Sequence, residues 1–229
     1  RAVEHPKRFL KDFKGYLQSD GYAGYNGLPD VVNVGCWAHA RRGFDEAIKA
    51  AGGKNKKPKA LEGLDYCNQL FQVERKLKDC TSEERYEERL LHSKPVLEAF
   101  LAWLYKTKAN SLPQTHLGKA IQYCLNQWEP LNAFLLDGRL EIDNNRTERS
   151  IKPFVIARKN FLFCDTPSGA RSSAVTFSLI ESAKENCLKP YDYIEYLLEE
   201  LPNATTKDLE RFMPWSDSIP ERCRSPKKK

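Results

Sequence analysis

The length, composition and charge of the chain exclude several classes of protein. It has 229 residues, of which 41% are hydrophobic and 30% charged, a composition typical of a globular protein with a sizeable core rather than of a disordered chain. No apolar run approaches the roughly 18 residues of a membrane-spanning helix, and the first residues are charged, so we expect no membrane segment, no signal peptide and a cytoplasmic location. The formal net charge of +6 is compatible with a polyanionic partner, but equally with an ordinary solvated surface.

The chain starts at Arg1 and enters directly into sequence with the pattern of a folded protein, so we interpret it as a fragment. Its seven cysteines are scattered and form no CxxC pair, which favours a reducing compartment over a disulfide framework. Cys36 and His39 have a spacing found in zinc sites, but no second pair follows at a zinc-finger distance, and we do not predict zinc there.

The first fifty residues predict the order helix, strand, loop, strand, helix. Residues 6–19 indicate a short helix that runs into a strand around Tyr16–Ser19, and Asp20 and Gly21 then break the pattern. Val31–Trp37 is apolar and β-branched, as in a buried strand. The helix predicted next covers residues 38–51.

The middle of the chain predicts helices only. Gly52, Gly53 and the basic run at 54–59 are the clearest sign of a domain boundary. From there to about residue 136, apolar residues recur at three- and four-residue spacing, and we expect Pro95 and Pro113 to punctuate the helices. The aromatic residues of this stretch are expected to form a core rather than a cofactor site.

The sequence changes character again at Gly138. Asp143–Asn145 is typical of a segment that caps a helix, and Pro153 is expected to bend or end the short helix that follows. Further helices are predicted over residues 172–186 and after Pro190. A turn of helix over 205–212 then leads into a proline-rich tail that we expect to be disordered.

Two acidic residues stand out by their position. Asp20 follows a predicted strand and is flanked by glycine, which leaves its carboxylate exposed, although an Asp-Gly pair is commonly only a turn. Glu148 begins a helix among basic residues, although it could simply pair with Lys152 four residues later. Asp143 is more typical of a helix cap than of a metal ligand, and His39 of a structural hydrogen bond than of catalysis. On these patterns alone, the chain is a basic, mixed α/β protein with a helical insertion.

Four segments resemble the IS66-family transposases in order, over about 200 of the 229 residues. They are LQSDGYAGYN, VGCWAHARRGFDEA, the long segment from LGKAIQYCLNQ to RKNFLF, and SLIESAKENCLKPYDYIEYLLEELP. The block DNN-x-x-ER within the third segment is the most specific of these motifs. One departure is Cys187, because the family usually has a glycine there, as suits a left-handed helix end.

The resemblance implies an incomplete RNase H-like core of the α/β class, mostly helical in this chain and carrying a large all-helical insertion. Asp20 resembles the second acidic residue of a DDE recombinase and Glu148 the third, and the first aspartate would lie ahead of Arg1. The implied parts are residues 1–50, the second part of the core; residues 51–140, the helical insertion; residues 141–201, the Glu-bearing and C-terminal helices of the core; and residues 202–229, the tail.

The implied activity is cleavage of DNA and strand transfer by the full-length protein, with two Mg²⁺ (or Mn²⁺) ions held by Asp20, Glu148 and the missing aspartate. The expected partners are double-stranded DNA (transposon ends and target), further copies of the protein and accessory proteins of the same element, with no membrane. Phosphate contacts are expected from seven basic residues: Arg146, Arg149, Lys152, Arg158, Lys159 and, with a weaker case, Arg41 and Arg42.

Two other functions stay open. The chain could be a remnant that binds DNA or a partner without catalysis, or a nuclease of the same fold that lacks strand transfer. Because the first aspartate of the expected site is missing, we expect the isolated chain not to cleave DNA even with Mg²⁺ or Mn²⁺.

Overall fold

The computed structural model of the chain describes residues 4–157 and 164–226. In chain order its elements are α1 (Glu4–Phe9), β1 (Gly15–Gln18), β2 (Val31–Val34), α2 (Trp37–Ala50), α3 (Ala60–Lys76), α4 (Ser82–Lys108), α5 (His116–Asn126), α6 (Trp128–Asn132), α7 (Asn145–Ala157), α8 (Pro167–Glu185) and α9 (Pro190–Glu200). The chain divides into two compact units, Arg1–Arg146 and Thr147–Lys229. The prediction of a mostly helical α/β chain is confirmed, whereas the RNase H-like core stays a prediction.

The two strands form a small parallel sheet, in which Gly15 lies opposite Val31 and Gln18 opposite Val34. The predicted order of helix, strand, loop, strand and helix is confirmed. The strand predicted to reach Trp37 ends earlier, at Val34, because the backbone then bonds elsewhere. The N–H of Gly35 donates to the carbonyl of Pro130 at 2.7 Å, and the N–H of Trp37 donates to that of Ile142 at 3.1 Å.

Helices α2 to α5 of the first unit pack around a cluster of aromatic side chains. Phe100 is fully buried at its centre and lies 5.8 Å from Trp37, 5.9 Å from Phe44 and 5.9 Å from Trp103, measured between ring centroids. Offset and edge-on ring contacts of this kind add to the free energy of apolar burial. The prediction that these aromatic residues form a core is therefore confirmed.

Pro95 does not punctuate the helices as predicted, because it lies inside α4. A proline removes one backbone N–H, which leaves the carbonyl four residues earlier without its helical bond. Here that carbonyl belongs to Leu91, and both Leu91 and Pro95 lie on the solvent-exposed side of the helix. Water can satisfy the carbonyl there, so the helix continues. Pro153 likewise lies inside α7 and does not end it.

Arg89 of α4 is fully buried. Its guanidinium group donates to both carboxylate oxygens of Glu74, each at 2.7 Å. The other donors reach the backbone carbonyls of Phe134, Asp137 and Leu140 at 2.9, 3.2 and 2.8 Å. All five N–H groups of an arginine are thus bonded, which fixes the segment 134–140 to α3 and α4.

The second unit has its own small core between α8, α9 and the residues that follow. Phe212, Ile219 and Cys223 are buried in this core, and the hydroxyl of Tyr193 donates to the carbonyl of Phe212 at 2.7 Å. The prediction of a disordered tail is therefore wrong for residues 213–226. Its proline and lysine content suggested disorder, but a few well-spaced apolar residues anchor it.

Helix α8 ends at Glu185, and the second residue after it, Cys187, has left-handed backbone geometry with a φ of 56°. The N–H of Leu188 donates to the carbonyl of Ala183 at 2.8 Å, the long-range bond of a Schellman helix end. The left-handed conformation predicted at this position is confirmed.

Candidate active site

Asp20 follows the carboxyl end of β1, and its side chain is exposed. The backbone turns at Gly21, whose φ is 88° and where a Cβ would come within 2.9 Å of the Gln127 side chain. A carboxylate oxygen of Asp20 accepts from the N–H of Tyr22 at 3.2 Å, and the Asp20 carbonyl accepts from the hydroxyl of Tyr123 at 3.1 Å. The turn that presents this carboxylate is thus fixed from both sides.

The segment that precedes α7 runs along the same edge of the sheet. The side-chain amide of Gln18, the last residue of β1, donates to the carbonyl of Glu141 at 2.8 Å. The N–H of Asn144 approaches the sulfur of Cys36, just beyond β2, at 3.5 Å. Because β1 and β2 are parallel, their carboxyl ends meet at one edge, and the structure brings the Asp20 turn and the start of the DNN-x-x-ER block to that edge.

The carboxylate of Asp143 bonds to Asn145, two residues later in the chain. One carboxylate oxygen accepts from the N–H of Asn145 at 3.0 Å and the other from the Asn145 side-chain amide at 2.7 Å. Asn145 is the first residue of α7, so Asp143 forms a turn with its side chain immediately before that helix. Its role is local.

Helix α7 carries three of the predicted site residues on one side. Glu148, Arg149 and Lys152 are exposed. The opposite side of α7 packs on α8, where the rings of Phe154 and Phe177 lie 5.3 Å apart. At 100° per residue, Glu148 and Lys152 face away from that contact, together with Arg149.

The remaining predicted residues have separate outcomes. Asp20 belongs to the first compact unit and Glu148 to the second, so their sharing of one pocket stays a prediction. Arg146 is exposed at the start of α7. Arg158 and Lys159 lie outside the described residues.

Arg41 and Arg42 line an open groove of about 620 Å³ in the first unit. We call this the arginine groove. Its walls are α2 and α3, and its polar residues are Arg41, Arg42, Asp45, Glu46, Lys49, Asn68, Arg75, Asp143 and Asn145. The groove therefore joins two predicted phosphate contacts to the start of the DNN-x-x-ER block.

Cys36 and His39 lie at the start of α2. Burial raises the pKa of the Cys36 thiol, which disfavours the thiolate that binds metals, and His39 is half-buried. Over residues 4–157 and 164–226, no three His, Cys, Asp or Glu side chains are grouped closely enough to hold a metal ion. Asp20 and Glu148 fit Mg²⁺ in chemical type, as exposed carboxylates.

Comparison with known proteins settles the family. The model of the transposase IS66 family matches residues 1–172. The chain belongs to the IS66 family of transposases. A second model, the IS66 C-terminal element, matches residues 178–215, which cover the end of α8, all of α9 and the beginning of the ordered segment after it.

Three curated relatives are uncharacterized proteins of Sinorhizobium fredii (strain NBRC 101917 / NGR234). The protein y4jD is 37% identical over 227 residues, which cover 94% of this chain and 44% of the relative. The proteins y4hP and y4qI are each 30% identical over 94% of this chain, and the matches cover 42% and 41% of their lengths. This IS66-family chain thus spans less than half the length of these relatives. No solved structure matches it.

Two residues of this IS66-family chain escaped the sequence analysis. Arg75 lines the arginine groove, but one basic residue near a helix end carries no distinguishing pattern. Arg89 did leave a signal, because it lies eight residues before Leu97, on the same apolar stripe of α4. A charged residue in such a stripe indicates a buried, fully bonded charge.

Proposed function

We propose that this chain forms part of a DDE-type transposase, which cleaves DNA and transfers the freed 3′ end to a target. Asp20 and Glu148 are two of its metal-binding carboxylates. One observation carries the proposal: in this member of the IS66 family, the Asp20 turn and the start of the DNN-x-x-ER block lie at the same edge of the sheet.

The placement of both acids supports this role. Asp20 is exposed in a turn held by Tyr22 and Tyr123, and Glu148 is exposed in the first turn of a helix whose start is fixed by Asp143. Ligands on rigid, prearranged turns bind a metal without a further ordering cost. On this proposal, the remaining aspartate of the site lies ahead of Arg1.

Asp20 and Glu148 would hold Mg²⁺ or Mn²⁺, whose chemistry when bound is to activate a water nucleophile and to neutralise charge at the scissile phosphate. The protein's own contribution is to position the DNA. Arg149 and Lys152 are exposed beside Glu148 on α7, where they would hold phosphates near the acid without reading the sequence. Arg146, Arg158 and Lys159 belong to the same proposed contact.

The test is Mn²⁺ binding to the chain, measured by calorimetry and by anomalous density in a crystal soaked with Mn²⁺. We expect density between Asp20 and Glu148. Asp20→Asn and Glu148→Gln should each weaken binding at least about tenfold, since a direct ligand matters no less than an outer-shell partner. Asp79→Asn, which removes an exposed carboxylate between α3 and α4, is the matched control and should bind normally.

Two outcomes would contradict this proposal: unchanged Mn²⁺ affinity in both variants, or density at each acid separately. Either would favour the alternative of a DNA- or partner-binding module without catalysis.

In the full-length protein, Glu148→Gln should abolish cleavage while DNA binding stays near normal, and loss of folding would instead make Glu148 structural. A strand-transfer assay with donor-end DNA separates a transposase from a simple nuclease.

A further inference from the structure

The arginine groove contains three exposed arginines, Arg41, Arg42 and Arg75. None of them makes an ion pair with any other residue in the described ranges, although acidic residues line the same groove. Lys49, in contrast, pairs with Asp45 at 2.7 Å, so one acid of the groove is already neutralised. The three arginines outnumber the two remaining acids of the groove, Glu46 and Asp143, and their guanidinium groups form no ion pair with either, which leaves them available to an anionic ligand.

Arg41 is held in place without being neutralised. Its Nε donates to the side-chain oxygen of Asn68 at 2.8 Å, and an amide oxygen carries no charge. The Nη1 and Nη2 groups make no hydrogen bond to another described residue. Arg139 and Arg222 differ, because each donates to a carboxylate, of Asp137 and Glu199, at 2.6 Å. An oriented guanidinium group with its outer edge open suits a phosphate, which it can bind through two parallel bonds.

Contacts between α2 and α3 show where the groove leads. Arg41 contacts Asn68, and the ring of Phe44 packs against Gly63. From the first contact to the second, the residue number therefore rises on α2 and falls on α3. The two helices are therefore antiparallel, and Arg75 lies towards the first turn of α2. Asn144 bonds to Cys36, just before α2, so its neighbours Asp143 and Asn145 line the groove at that end.

We propose that the arginine groove binds the phosphate backbone of double-stranded DNA, with Arg41, Arg42 and Arg75 as contacts. It would guide the duplex along α2 and α3 to the turn that begins α7. The inference rests on the proposed function for its ligand but not on the metal site, so the two can fail separately. The contacts are to phosphates and are independent of base sequence.

The experiment measures the affinity of the chain for a duplex DNA of arbitrary sequence over a range of salt concentrations, in EDTA. Each phosphate contact contributes about 0.9 to the slope of log affinity against log salt. Arg41→Ala, Arg42→Ala and Arg75→Ala should therefore each reduce the slope by about 0.9, and the triple variant by about 2.7. Because these side chains are exposed, the thermal midpoint should not change.

Lys76→Ala is the matched control. Lys76 neighbours Arg75 on α3 and is exposed, but it does not line the groove, so its removal should leave the slope unchanged. An equal effect of Lys76→Ala would overturn the proposal, since it would show only a general effect of charge. Unchanged slopes in the three arginine variants would overturn it too, and so would the absence of duplex binding or a preference for RNA. In each of these cases the Mn²⁺ measurement still reports independently on Asp20 and Glu148.

Discussion

At the scale of single residues, Arg89 links parts of the first unit that are distant in sequence. It joins α3, through Glu74, to the three carbonyls of the segment 134–140, which leads into the Asp143–Asn145 turn. Burying a charge costs free energy unless every donor is bonded. Here every donor is bonded, so the arginine positions the start of the DNN-x-x-ER block from within the helical stretch.

We expect Arg89→Ala to lower the free energy of unfolding by about 3–5 kcal/mol, because it leaves Glu74 and three carbonyls without their donor. The measurement is urea denaturation followed by circular dichroism. Arg85→Ala, one turn earlier on α4, is the control and should cost much less. A loss below about 1 kcal/mol for Arg89→Ala would show that water replaces the guanidinium group, contrary to the role given to it here.

At the scale of elements, helix boundaries follow local rules more closely than strand boundaries do. The start of α4 has a capping box, in which Thr81 and Glu84 exchange hydrogen bonds, and α9 begins at a proline, Pro190. Such signals are readable in the sequence. The end of β2 is not, because it depends on Gly35 meeting Pro130, nearly a hundred residues away.

The positive φ of Cys187, just after α8, is expected to strain the backbone. Cys187→Gly should raise the free energy of unfolding by about 1 kcal/mol, since glycine adopts a positive φ without steric cost. Urea denaturation of the two proteins measures the difference. Cys187→Ala is the comparison, because alanine removes the thiol but keeps the Cβ. If the glycine variant were no more stable than the alanine variant, strain at Cys187 would not be the cause.

At the scale of the whole molecule, the chain combines well-buried helices with a very small sheet. Sheets of two short strands are marginal by themselves, and the strands carry exposed apolar side chains, among them Tyr16 and Val32. The helices of the first unit instead surround the fully buried Phe100. Protection should therefore be uneven along the chain.

We expect hydrogen exchange to be faster for the backbone amides of β1 and β2 than for those of α2 and α4 around Phe44 and Phe100, because local opening follows the amount of buried contact. Exchange monitored by mass spectrometry or NMR measures this order. The amides of Gly35 and Trp37, which bond to Pro130 and Ile142, are internal references and should be better protected than the strands. Equal protection of strands and helices would contradict the prediction.

The sequence predicted the order of the elements, the aromatic core and the exposure of Asp20, because these follow from periodicity and from glycine at a turn. It missed the ordered tail, since Phe212 and Ile219 are anchored by a fold that composition does not reveal. It also missed Arg75, whose place in the groove depends on how two helices pack. Whether Asp20 and Glu148 meet stays a prediction, because they belong to different compact units.

The hydrogen bonds of Arg89 have a consequence for which substitutions, insertions and deletions this protein tolerates. Its acceptors in the segment 134–140 are main-chain oxygens, which every amino acid carries. Replacing Asp137 by another residue leaves its main-chain oxygen in place, so the hydrogen bond from Arg89 does not depend on the side chain at that position. Removing or adding a single residue between Phe134 and Leu140 would displace the oxygens from the guanidinium group. The hydrogen bonds of Arg89 thus constrain the length of the segment, while packing constrains the identity of Phe134, which is buried in the core, and of Gly138, where a Cβ would collide with the carbonyl oxygen of Ser82.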